Sequence, residues 1–362
     1  MTPGRYLLVR LSAIGDVVFA LESVAALRNL DPGARIDWLV EDRIRPLLES
    51  HPDLDRVLVY PRREFARCAV RPWLWPSLVV LLVRHACALR RTRYDAVLDL
   101  HGNLKSGLHV LLARAKRKIG FDKTRAKEGA WLAVRERVTL PSPRPHRSEE
   151  GLLLLERLVG ATVARPPHPV FPIDEAAKAL ANAWLDATRP TYATHRPAGM
   201  VVLAPGTSAF AAFKRWPARR YAELAERLCL HGLTVVVSTG PGERELGRNA
   251  VGQSGAIWFD GAEHGLAVAL EVMRQASVCV AADSGPMHLA QAVGVPVVGI
   301  FGPKDPLRYG PRLPGSIVMR YATPCAPCGR RACELPTCVQ AVTVDDILRA
   351  TLDVLSRQNR AS

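Results

Sequence analysis

The stretch 278–293 limits the possible fold most strongly, because an apolar strand runs through a polar link directly into a helix. Residues 278–282 suit a buried strand, and 288–293 suit a helix. The link 283–285 reads Asp-Ser-Gly, and Pro286 fits a first helical turn because proline has no N–H to leave unsatisfied. A helix that begins after a strand offers unpaired N–H groups to an anion. An acid or hydroxyl that merely caps the helix is the structural alternative.

The same order of strand, loop and helix recurs along the whole chain. Apolar strands that alternate with helices predict parallel sheets covered on both faces, so we expect an α/β protein with two Rossmann-like domains. The turn-prone stretch 189–199 is the expected linker. It separates an N-terminal domain at 1–188 from a C-terminal domain at 200–342. The predicted strands are 6–11, 35–40, 56–60, 95–100, 200–204, 233–238, 278–282 and 296–301.

Polar residues follow several of these strands at their carboxyl ends, where open parallel sheets bind their ligands. In the first domain, Asp16, Asn103 and Lys105 occupy such positions. Two polar edges that face each other predict an interdomain cleft. The corresponding residues of the second domain are Thr207, Ser208, Glu243, Asp283, Ser284 and Gly285.

A dinucleotide-binding enzyme is disfavoured by the glycine spacing. Gly240, Gly242 and Gly247 do not fit the G-x-G-x-x-G pattern, and the first strand lacks that pattern too. The sequence therefore argues against hydride transfer.

The positive charge of the chain is concentrated in its first half. The net charge is +15, and residues 1–165 carry 29 Lys and Arg against 18 Asp and Glu, or +11. This excess predicts an anionic partner: phosphorylated lipid, nucleic acid or a membrane surface. Nucleic acid is disfavoured, because the chain has no recognised DNA-reading motif and no clustered aromatics of a single-strand binder.

Arginines crowd the segment 62–93, which also contains the apolar run 73–83. This combination predicts an amphipathic element on a membrane surface, with a core helix and a solvated arginine face as the alternative. The run is interrupted by Pro76 and Ser77, so we expect no stretch long enough to span a bilayer. The N-terminus does not read as a signal peptide, and the expected compartment is the cytoplasm.

Five motifs occur in order along the chain: 10–17 (RLSAIGDV), 99–106 (DLHGNLKS), 205–208 (PGTS) with 214–217 (KRWP), 283–290 (DSGPMHLA) and 301–306 (FGPKDP). Together they resemble the motifs of the bacterial lipopolysaccharide heptosyltransferases, glycosyltransferase family 9. The likeness extends from about residue 5 to residue 350.

The resemblance implies a GT-B fold and inverting transfer of heptose from ADP-heptose, without a metal or other cofactor. The implied acceptor is the Kdo/heptose region of the inner core on lipid A, reached from the cytoplasmic face of the inner membrane by a peripheral enzyme. It also implies that the C-terminal helix, 343–362, packs back towards the first domain. A family 9 enzyme with another sugar or acceptor is the alternative. A non-catalytic protein that binds anions or nucleic acid is a remote one, suggested by the charge.

The resemblance also implies roles for individual residues. Asp16 is the expected general base, with a helix N-cap as its structural alternative. Glu243 is expected at the nucleoside ribose, where Glu245 is a second candidate. His288 lies on the helix after the donor loop, where a packed helix residue is the alternative. The expected donor-binding residues are Thr207, Ser208, Lys214, Glu243, Asp283, Ser284, Gly285 and His288, and the acceptor-binding residues are Gly15, Asn103 and Lys105.

Four of the eight cysteines lie close together near the C-terminus. Cys325, Cys328, Cys333 and Cys338 form a C-x2-C-x4-C-x4-C pattern. In a cytoplasmic chain this pattern suggests either a structural zinc site or reduced thiols in a structured loop, before disulfides. Both interpretations remain open from the sequence, and neither assigns the cysteines to catalysis.

Overall fold

The chain forms two compact units, Met1–Pro169 and Val170–Ser362. The structure is a computed structural model that describes residues 3–168, 170–188, 199–328, 330 and 332–361. For residues 209, 210, 359 and 361 it describes the backbone alone. Residues 189–198 of the expected linker lie outside the described residues.

The first unit contains six strands and six helices, with short 3-10 turns at Pro72–Leu74 and Ala130–Leu132, among the residues described. Its strands are β1 (Arg5–Val9), β2 (Arg35–Glu41), β3 (Arg56–Tyr60), β4 (Arg93–Asp99), β5 (Arg114–Phe121) and β6 (Glu136–Val138). Its helices are α1 (Ile14–Leu30), α2 (Arg45–Leu48), α3 (Arg62–Ala69), α4 (Trp75–Arg90), α5 (Leu104–Leu112) and α6 (Glu150–Val159).

The second unit repeats this plan, with a 3-10 segment at Ala209–Lys214. Its strands are β7 (Met200–Ala204), β8 (Thr234–Thr239), β9 (Ile257–Asp260), β10 (Val278–Ala282), β11 (Val297–Phe301) and β12 (Ile317–Arg320). Its helices are α7 (Glu175–Thr188), α8 (Ala218–Leu230), α9 (Arg244–Val251), α10 (Gly261–Arg274), α11 (Gly285–Ala292), α12 (Pro306–Tyr309), α13 (Thr337–Gln340) and α14 (Val344–Ala361).

Both sheets have six parallel strands in the same doubly wound order. The first runs β3-β2-β1-β4-β5-β6, and the second runs β12-β11-β10-β7-β8-β9. In each sheet the chain starts in the middle, moves to one edge, and then returns to the other side of the starting strand. The strand order therefore reverses between β1 and β4 and between β7 and β10. Ligands of such sheets bind at this reversal, outside the carboxyl ends of the strands.

The central strands are continuously buried, which explains why the sequence predicted them correctly. All five residues of β7, β10 and β11 are buried, as parallel strands covered on both faces require. The strands that the sequence did not predict are β5, β6, β9 and β12. Lys116, Arg117 and Lys118 interrupt the apolar pattern of β5, and the other three are short strands.

The second unit begins about thirty residues before the boundary expected from the sequence, because α7 packs on α10. Trp184 on α7 makes an edge contact with the ring of Phe259, with centroids 4.8 Å apart. Asn182 accepts a 2.9 Å hydrogen bond from Gln275 at the end of α10. Phe171, ahead of α7, also donates its N–H to the carbonyl of Ala292. The segment 170–188 therefore belongs to the second unit.

The C-terminal helix α14 is anchored in the second unit, where its residues Ile347 and Val354 join the hydrophobic core. Ahead of it, the Trp216 indole donates to the carbonyl of Val342 at 2.9 Å. That the helix also returns to the first domain stays a prediction. Its start carries a capping box, in which Thr343 and Asp346 exchange hydrogen bonds.

Candidate active site

The acid of the first motif lies at the start of α1, beside the reversal point of the first sheet. Asp16 is the third residue of α1, whose N-cap position is held by Ala13. The alternative role of Asp16 as the N-cap is therefore wrong. Gly15, expected at the acceptor, is buried in the same turn. Its contact with an acceptor would have to be made by the backbone.

Two arginines hold the carboxylate of Asp16. Arg10, which follows β1, pairs with Oδ2, and the Arg147 Nε donates to Oδ1 at 2.9 Å. Arg10 is itself buried and donates to the carbonyl of Leu100 at 2.6 Å. Burial alone would raise the pKa of Asp16, but Arg10 and Arg147 outweigh it and hold the pKa well below its ordinary range. Asp16 is therefore an oriented carboxylate that remains ionised throughout the neutral range.

The two arginines belong to a larger charged cluster. Arg147 also pairs with Glu150, and Glu150 accepts a 2.7 Å hydrogen bond from Arg125. Burial lowers the pKa of Arg10 to about 10, so this guanidinium is still protonated at neutral pH. Three arginines against Asp16 and Glu150 leave one net positive charge, which favours an anionic ligand. A cavity of about 20 Å³, large enough for a water molecule, lies between Asp16, Phe19 and Arg147.

The second motif builds the neighbouring loop at the end of β4. The buried carboxylate of Asp99 accepts from the N–H groups of His101 and Gly102, at 3.0 Å each, and from the Ser106 hydroxyl at 3.0 Å. Asn103 and Ser106 form a capping box at the start of α5. The Asn103 side chain, expected at the acceptor, is therefore engaged in holding the helix start.

His101 and Lys105 flank this capping box. The ring of His101 lies against the Leu11 N–H at 3.3 Å and the Asn103 amide at 3.0 Å. Burial, reinforced by Arg10, lowers the pKa of His101 to about 2, so its imidazole is neutral. Lys105 is exposed on the first turn of α5. It is placed to meet an anion from solvent.

In the second unit, polar residues follow three adjacent strands, β10, β7 and β8. Lys214 comes at the end of the 3-10 segment after β7, and Asp283 directly follows β10. The Lys214 Nζ lies 2.5 Å from the Asp283 Oδ2. The sequence prediction that residues after separate strands converge at one edge is thus confirmed for this pair.

Arg215 ties the loop after β7 to the loop after β8. Its guanidinium donates to the Thr207 hydroxyl at 3.0 Å and to the Thr207 carbonyl at 2.9 Å, and it also pairs with Glu243 at 3.3 Å. The second Glu243 oxygen accepts from the Gly240 N–H at 3.0 Å. A methyl group on Gly206 would lie 2.2 Å from this carboxylate, so the close approach requires glycine.

This network distinguishes between the two acids proposed for the ribose. Glu243 is half-buried and held in place by Arg215 and Gly240, whereas Glu245 is exposed on the first turn of α9. Glu243 is the acid that lies with the other candidate donor residues. Ser208, by contrast, is exposed at the start of the 3-10 segment.

The helix start that the sequence singled out is present in the structure. Ser284 is the N-cap residue of α11, which begins at Gly285 and has Pro286 in its first turn. The buried Ser284 hydroxyl has no hydrogen-bond partner among the described residues and does not cap the helix. His288 is buried on the same helix. A hydroxyl, helix N–H groups and Lys214 thus lie at one edge of the sheet, in an arrangement suited to an anionic ligand.

Comparison with known proteins gives the family. The family model described as glycosyltransferase family 9 (heptosyltransferase) matches residues 82–338. The chain belongs to glycosyltransferase family 9. It is therefore a glycosyltransferase, and its pair of six-stranded Rossmann-like units is the GT-B fold.

Relatives of this family 9 glycosyltransferase span nearly its whole length. Lipopolysaccharide heptosyltransferase 1 of Pseudomonas aeruginosa is 30% identical over 336 residues, which cover 91% of this chain and 87% of that protein. A family 9 glycosyl transferase from Veillonella parvula has a similar structure, with a TM-score of 0.78, 21% identity, and coverage of 98% and 97%. The E. coli heptosyltransferase WaaC with ADP-2-deoxy-2-fluoro heptose gives a TM-score of 0.71, 22% identity, and coverage of 96% and 99%.

The cysteine pattern of the glycosyltransferase does not assemble a metal site in the part of the chain that the structure describes. No group of three or more Cys, His, Asp or Glu side chains is placed to hold a metal ion there. Cys325 and Cys328 are exposed and Cys338 is buried. Burial, together with neighbouring Cys325, raises the pKa of Cys338, so this thiol is neutral at pH 7. A zinc site and reduced thiols both stay predictions for this segment.

The site of the glycosyltransferase includes residues that sequence reasoning missed. Arg147 and Glu150 were given no role, because the contact of Arg147 with Asp16 joins residues 131 positions apart. Arg147 follows the proline-rich stretch 141–146, and Glu150 lies at the start of the helix-like stretch after it. Neither pattern indicates a site. Arg10 belongs to the first motif, and its position at the end of a buried strand was the available signal.

Proposed function

We propose that this glycosyltransferase moves heptose from ADP-heptose to the Kdo/heptose region of the lipopolysaccharide inner core, with inversion at the anomeric carbon. One observation carries the proposal: Lys214 pairs with Asp283 at the reversal point of the second sheet, and the adjacent Ser284 hydroxyl has no hydrogen-bond partner among the described residues. They do so in a chain that is 30% identical to a lipopolysaccharide heptosyltransferase. The similar WaaC structure was solved with an ADP-heptose analogue.

The second unit supplies what a departing diphosphate needs. Negative charge grows on the leaving diphosphate during transfer, and a lysine with helix N–H groups stabilises it. Lys214 is held by Asp283 at 2.5 Å. Diphosphate would compete for this lysine and release the Asp283 carboxylate to accept hydroxyl groups of the sugar. Thr207 and Ser208 would add donors to the phosphates, and Glu243 would accept from the ribose.

The first unit supplies the base. An inverting transfer needs one group that accepts the proton of the acceptor hydroxyl as the new bond forms. Asp16 is ionised and fixed by Arg10 and Arg147. Its depressed pKa makes it a weak base in the ground state, so the proton moves to it late, when bonding to the anomeric carbon has made the hydroxyl acidic. The surplus arginine charge and exposed Lys105 favour the phosphorylated lipid A–core acceptor.

The proposed reaction needs no metal or other cofactor, because Lys214 and the start of α11 provide the positive charge at the diphosphate. We place the enzyme in the cytoplasm, peripherally on the inner membrane, because its proposed acceptor is a lipid. Gly15, Asn103 and Lys105 are the proposed acceptor-side residues. Asn103 acts through the loop that it caps.

A family 9 enzyme with another sugar or acceptor is the second candidate, and one experiment separates the two. Purified enzyme is incubated with a panel of nucleotide sugars and truncated core acceptors, and the products are weighed by mass spectrometry. We expect ADP release and the mass gain of one heptose on an inner-core acceptor. Transfer of a different sugar would support the second candidate. No ADP release with any core acceptor would refute heptosyl transfer.

A further inference from the structure

Helix α4 exposes a row of large apolar side chains on the first unit. Trp75, Val79 and Val83 follow one another at a spacing of four residues, and each is more than half exposed. Trp73, in the 3-10 turn just ahead of the helix, is 74% exposed. Isolated surface hydrophobic residues are ordinary, but a contiguous apolar face on a protein surface marks an interaction site. The exposed apolar residues from 73 to 83 are Trp73, Trp75, Val79, Val80, Leu82 and Val83, and we call them the α4 face.

The opposite side of α4 fixes the helix to the body of the unit. Leu89 is buried in the core, and the ring of His85 packs edge-on against His109 of α5, with centroids 5.0 Å apart. Burial and the neighbouring His109 lower the pKa of His85 to about 4, so it packs as a neutral ring. Phe65 of α3 completes this inner contact. The α4 face is therefore held outward by a packed inner face.

Arginines surround the α4 face. Arg62, Arg63 and Arg67 are exposed on the preceding helix α3. Arg71, Arg84, Arg90 and Arg91 are exposed in and around α4 itself. Tryptophan and aliphatic side chains with an arginine border form the surface pattern of a helix that lies in the headgroup region of a membrane. The positive border also specifies the sign of the lipid charge.

The neighbouring helix extends the apolar surface. Leu104, Leu108 and Leu111 of α5 are each about half exposed, and α5 packs against α4. The same helix carries Lys105 in its first turn, next to the loop of the second motif. A lipid surface at α4 and α5 would thus lie beside the proposed acceptor residues.

The sequence expectation that no stretch is long enough to span a bilayer needs correction. Pro76 lies in the first turn of α4 and does not break it, because a proline there forgoes no helical hydrogen bond. The helical stretch Pro72–Arg90 is consequently long and apolar enough, by length and composition, to cross a membrane. Helix α4 itself is about 24 Å long at 1.5 Å per residue, shorter than a hydrocarbon core of about 30 Å. Its packed inner face also favours lying on the surface.

We propose that the α4 face docks the enzyme on an anionic lipid bilayer, with Trp73 and Trp75 in the headgroup region and the arginines at the lipid phosphates. This inference rests on the proposed function, because a lipid-borne acceptor would lie at such a membrane surface. Its physical claim concerns binding to lipid alone. It is therefore tested without donor or acceptor.

The test measures sedimentation of the full-length enzyme with vesicles of phosphatidylglycerol and phosphatidylethanolamine, and with neutral phosphatidylcholine vesicles. We expect binding to the anionic vesicles that weakens with salt, and at least tenfold weaker binding to the neutral ones. W75S/V79S/V83S should lower the partition onto anionic vesicles at least tenfold. L180S/L230S/L307S, which removes three exposed leucines of the second unit, is the matched control and should bind like the unaltered enzyme.

The charged border is tested separately. Each arginine near an anionic surface contributes about a fivefold gain in partition. We therefore expect R84Q/R90Q to weaken binding by about 25-fold at low salt and by less at high salt. Equal binding of this variant and the unaltered enzyme at low salt would refute the role of the border.

Brominated lipids report whether the face enters the bilayer. They should quench part of the tryptophan fluorescence of the unaltered enzyme on anionic vesicles. W73F/W75F keeps the face apolar, so it should bind within a few-fold of the unaltered enzyme but lose that quenching. Quenching that persists in W73F/W75F would show that another surface meets the lipid and would overturn the proposal.

Three other outcomes also contradict the proposal. Absence of binding to anionic vesicles would overturn it, as would binding that W75S/V79S/V83S leaves unchanged. A concentration-dependent dimer that this variant abolishes, without vesicle binding, would assign the face to a second copy of the chain. Turnover on a water-soluble truncated acceptor should be unchanged in W75S/V79S/V83S, so failure of lipid docking is distinguishable from failure of the proposed transfer.

Discussion

At the scale of single residues, the environment of Asp16 is the feature with the clearest chemical consequence. Its pairing with Arg10 and Arg147 fixes the carboxylate and keeps it ionised. A base of this kind is available at every neutral pH, but it is weak until the acceptor hydroxyl becomes acidic during bond formation. Orientation, more than basicity, is what the two arginines provide.

This environment predicts an unusual pH profile. A carboxylate with a depressed pKa stays deprotonated above its ordinary value near 3.9, so Asp16 should cause no loss of kcat/KM between about pH 5 and pH 8. His101, with a pKa of about 2, adds no titration in this range. R147Q removes one cation, which raises the pKa of Asp16 and shifts the acidic limb of the profile towards higher pH.

The control for this experiment is R144Q, which alters an exposed arginine of the same loop. Its acidic limb should coincide with that of the unaltered enzyme when kcat/KM is measured at constant ionic strength. An R147Q profile identical to both would contradict the coupling between Arg147 and Asp16.

Lys214 carries the corresponding prediction for the donor. K214A removes the cation that we assign to the diphosphate, so kcat/KM for ADP-heptose should fall by about 10²- to 10³-fold. K214R keeps the charge and should recover part of the activity. Steady-state kinetics with varied donor provides the measurement, and K178A, an exposed lysine of α7, is the control. Equal kcat/KM for K214A and K178A would rule out the assignment.

At the scale of elements, the loop after β4 shows how a motif serves the fold and the site together. Asp99, Asn103 and Ser106 use their side chains to build the turn and cap α5. The exposed functional group of this motif is Lys105. Most polar side chains of this motif therefore hold the turn and the start of α5, which the sequence alone did not indicate.

Substitution of Asn103 separates the two roles. N103A loses the cap and should lower the free energy of unfolding by about 1 kcal/mol, whereas N103D keeps an acceptor for the Ser106 N–H and should be nearly as stable as the unaltered chain. Chemical denaturation measures the difference. If N103A is as stable as N103D and both lose acceptor affinity equally, Asn103 binds the acceptor directly.

The elements that the sequence predicted correctly are those whose residue pattern reflects their burial. The fully buried strands β7, β10 and β11 have apolar runs that indicate strands covered on both faces. Charged β5 was missed, since the lysine and arginine side chains along it conceal the strand period. The sequence left the outward apolar face of α4 ambiguous, because a helix covered by protein and a helix covered by lipid can have the same apolar pattern.

At the scale of the whole molecule, two copies of one doubly wound plan carry complementary chemistry. The first unit has a fixed carboxylate in a positively charged setting, and the second has a lysine and a helix start at the reversal of its sheet. The sequence predicted this division from the positions of polar residues after strands. It could not predict where the second unit begins, because the packing of α7 on α10 is a contact between distant segments.

The side-chain network around Asp16 is a second feature that the sequence could not predict, because its residues are distant along the chain. Arg10 follows β1 and Arg147 lies in the loop before α6, and only the fold brings them to Asp16. By contrast, Lys214, Asp283 and Glu243 were predicted, since each belongs to or lies near a motif that the resemblance assigns to the donor. Asp16 was likewise predicted from its motif, whereas its contact with Arg147 was not.

One measurement tests the central claim, that Asp16 is the base of a transfer whose donor is bound by the other unit. Turnover and ADP affinity are measured side by side for the unaltered enzyme, D16A, and D186A as a matched surface control. We predict that D16A binds ADP within about twofold of the unaltered enzyme while its turnover falls by about 10³-fold or more, and that D186A changes neither. Turnover in D16A equal to that of the unaltered enzyme would contradict the account.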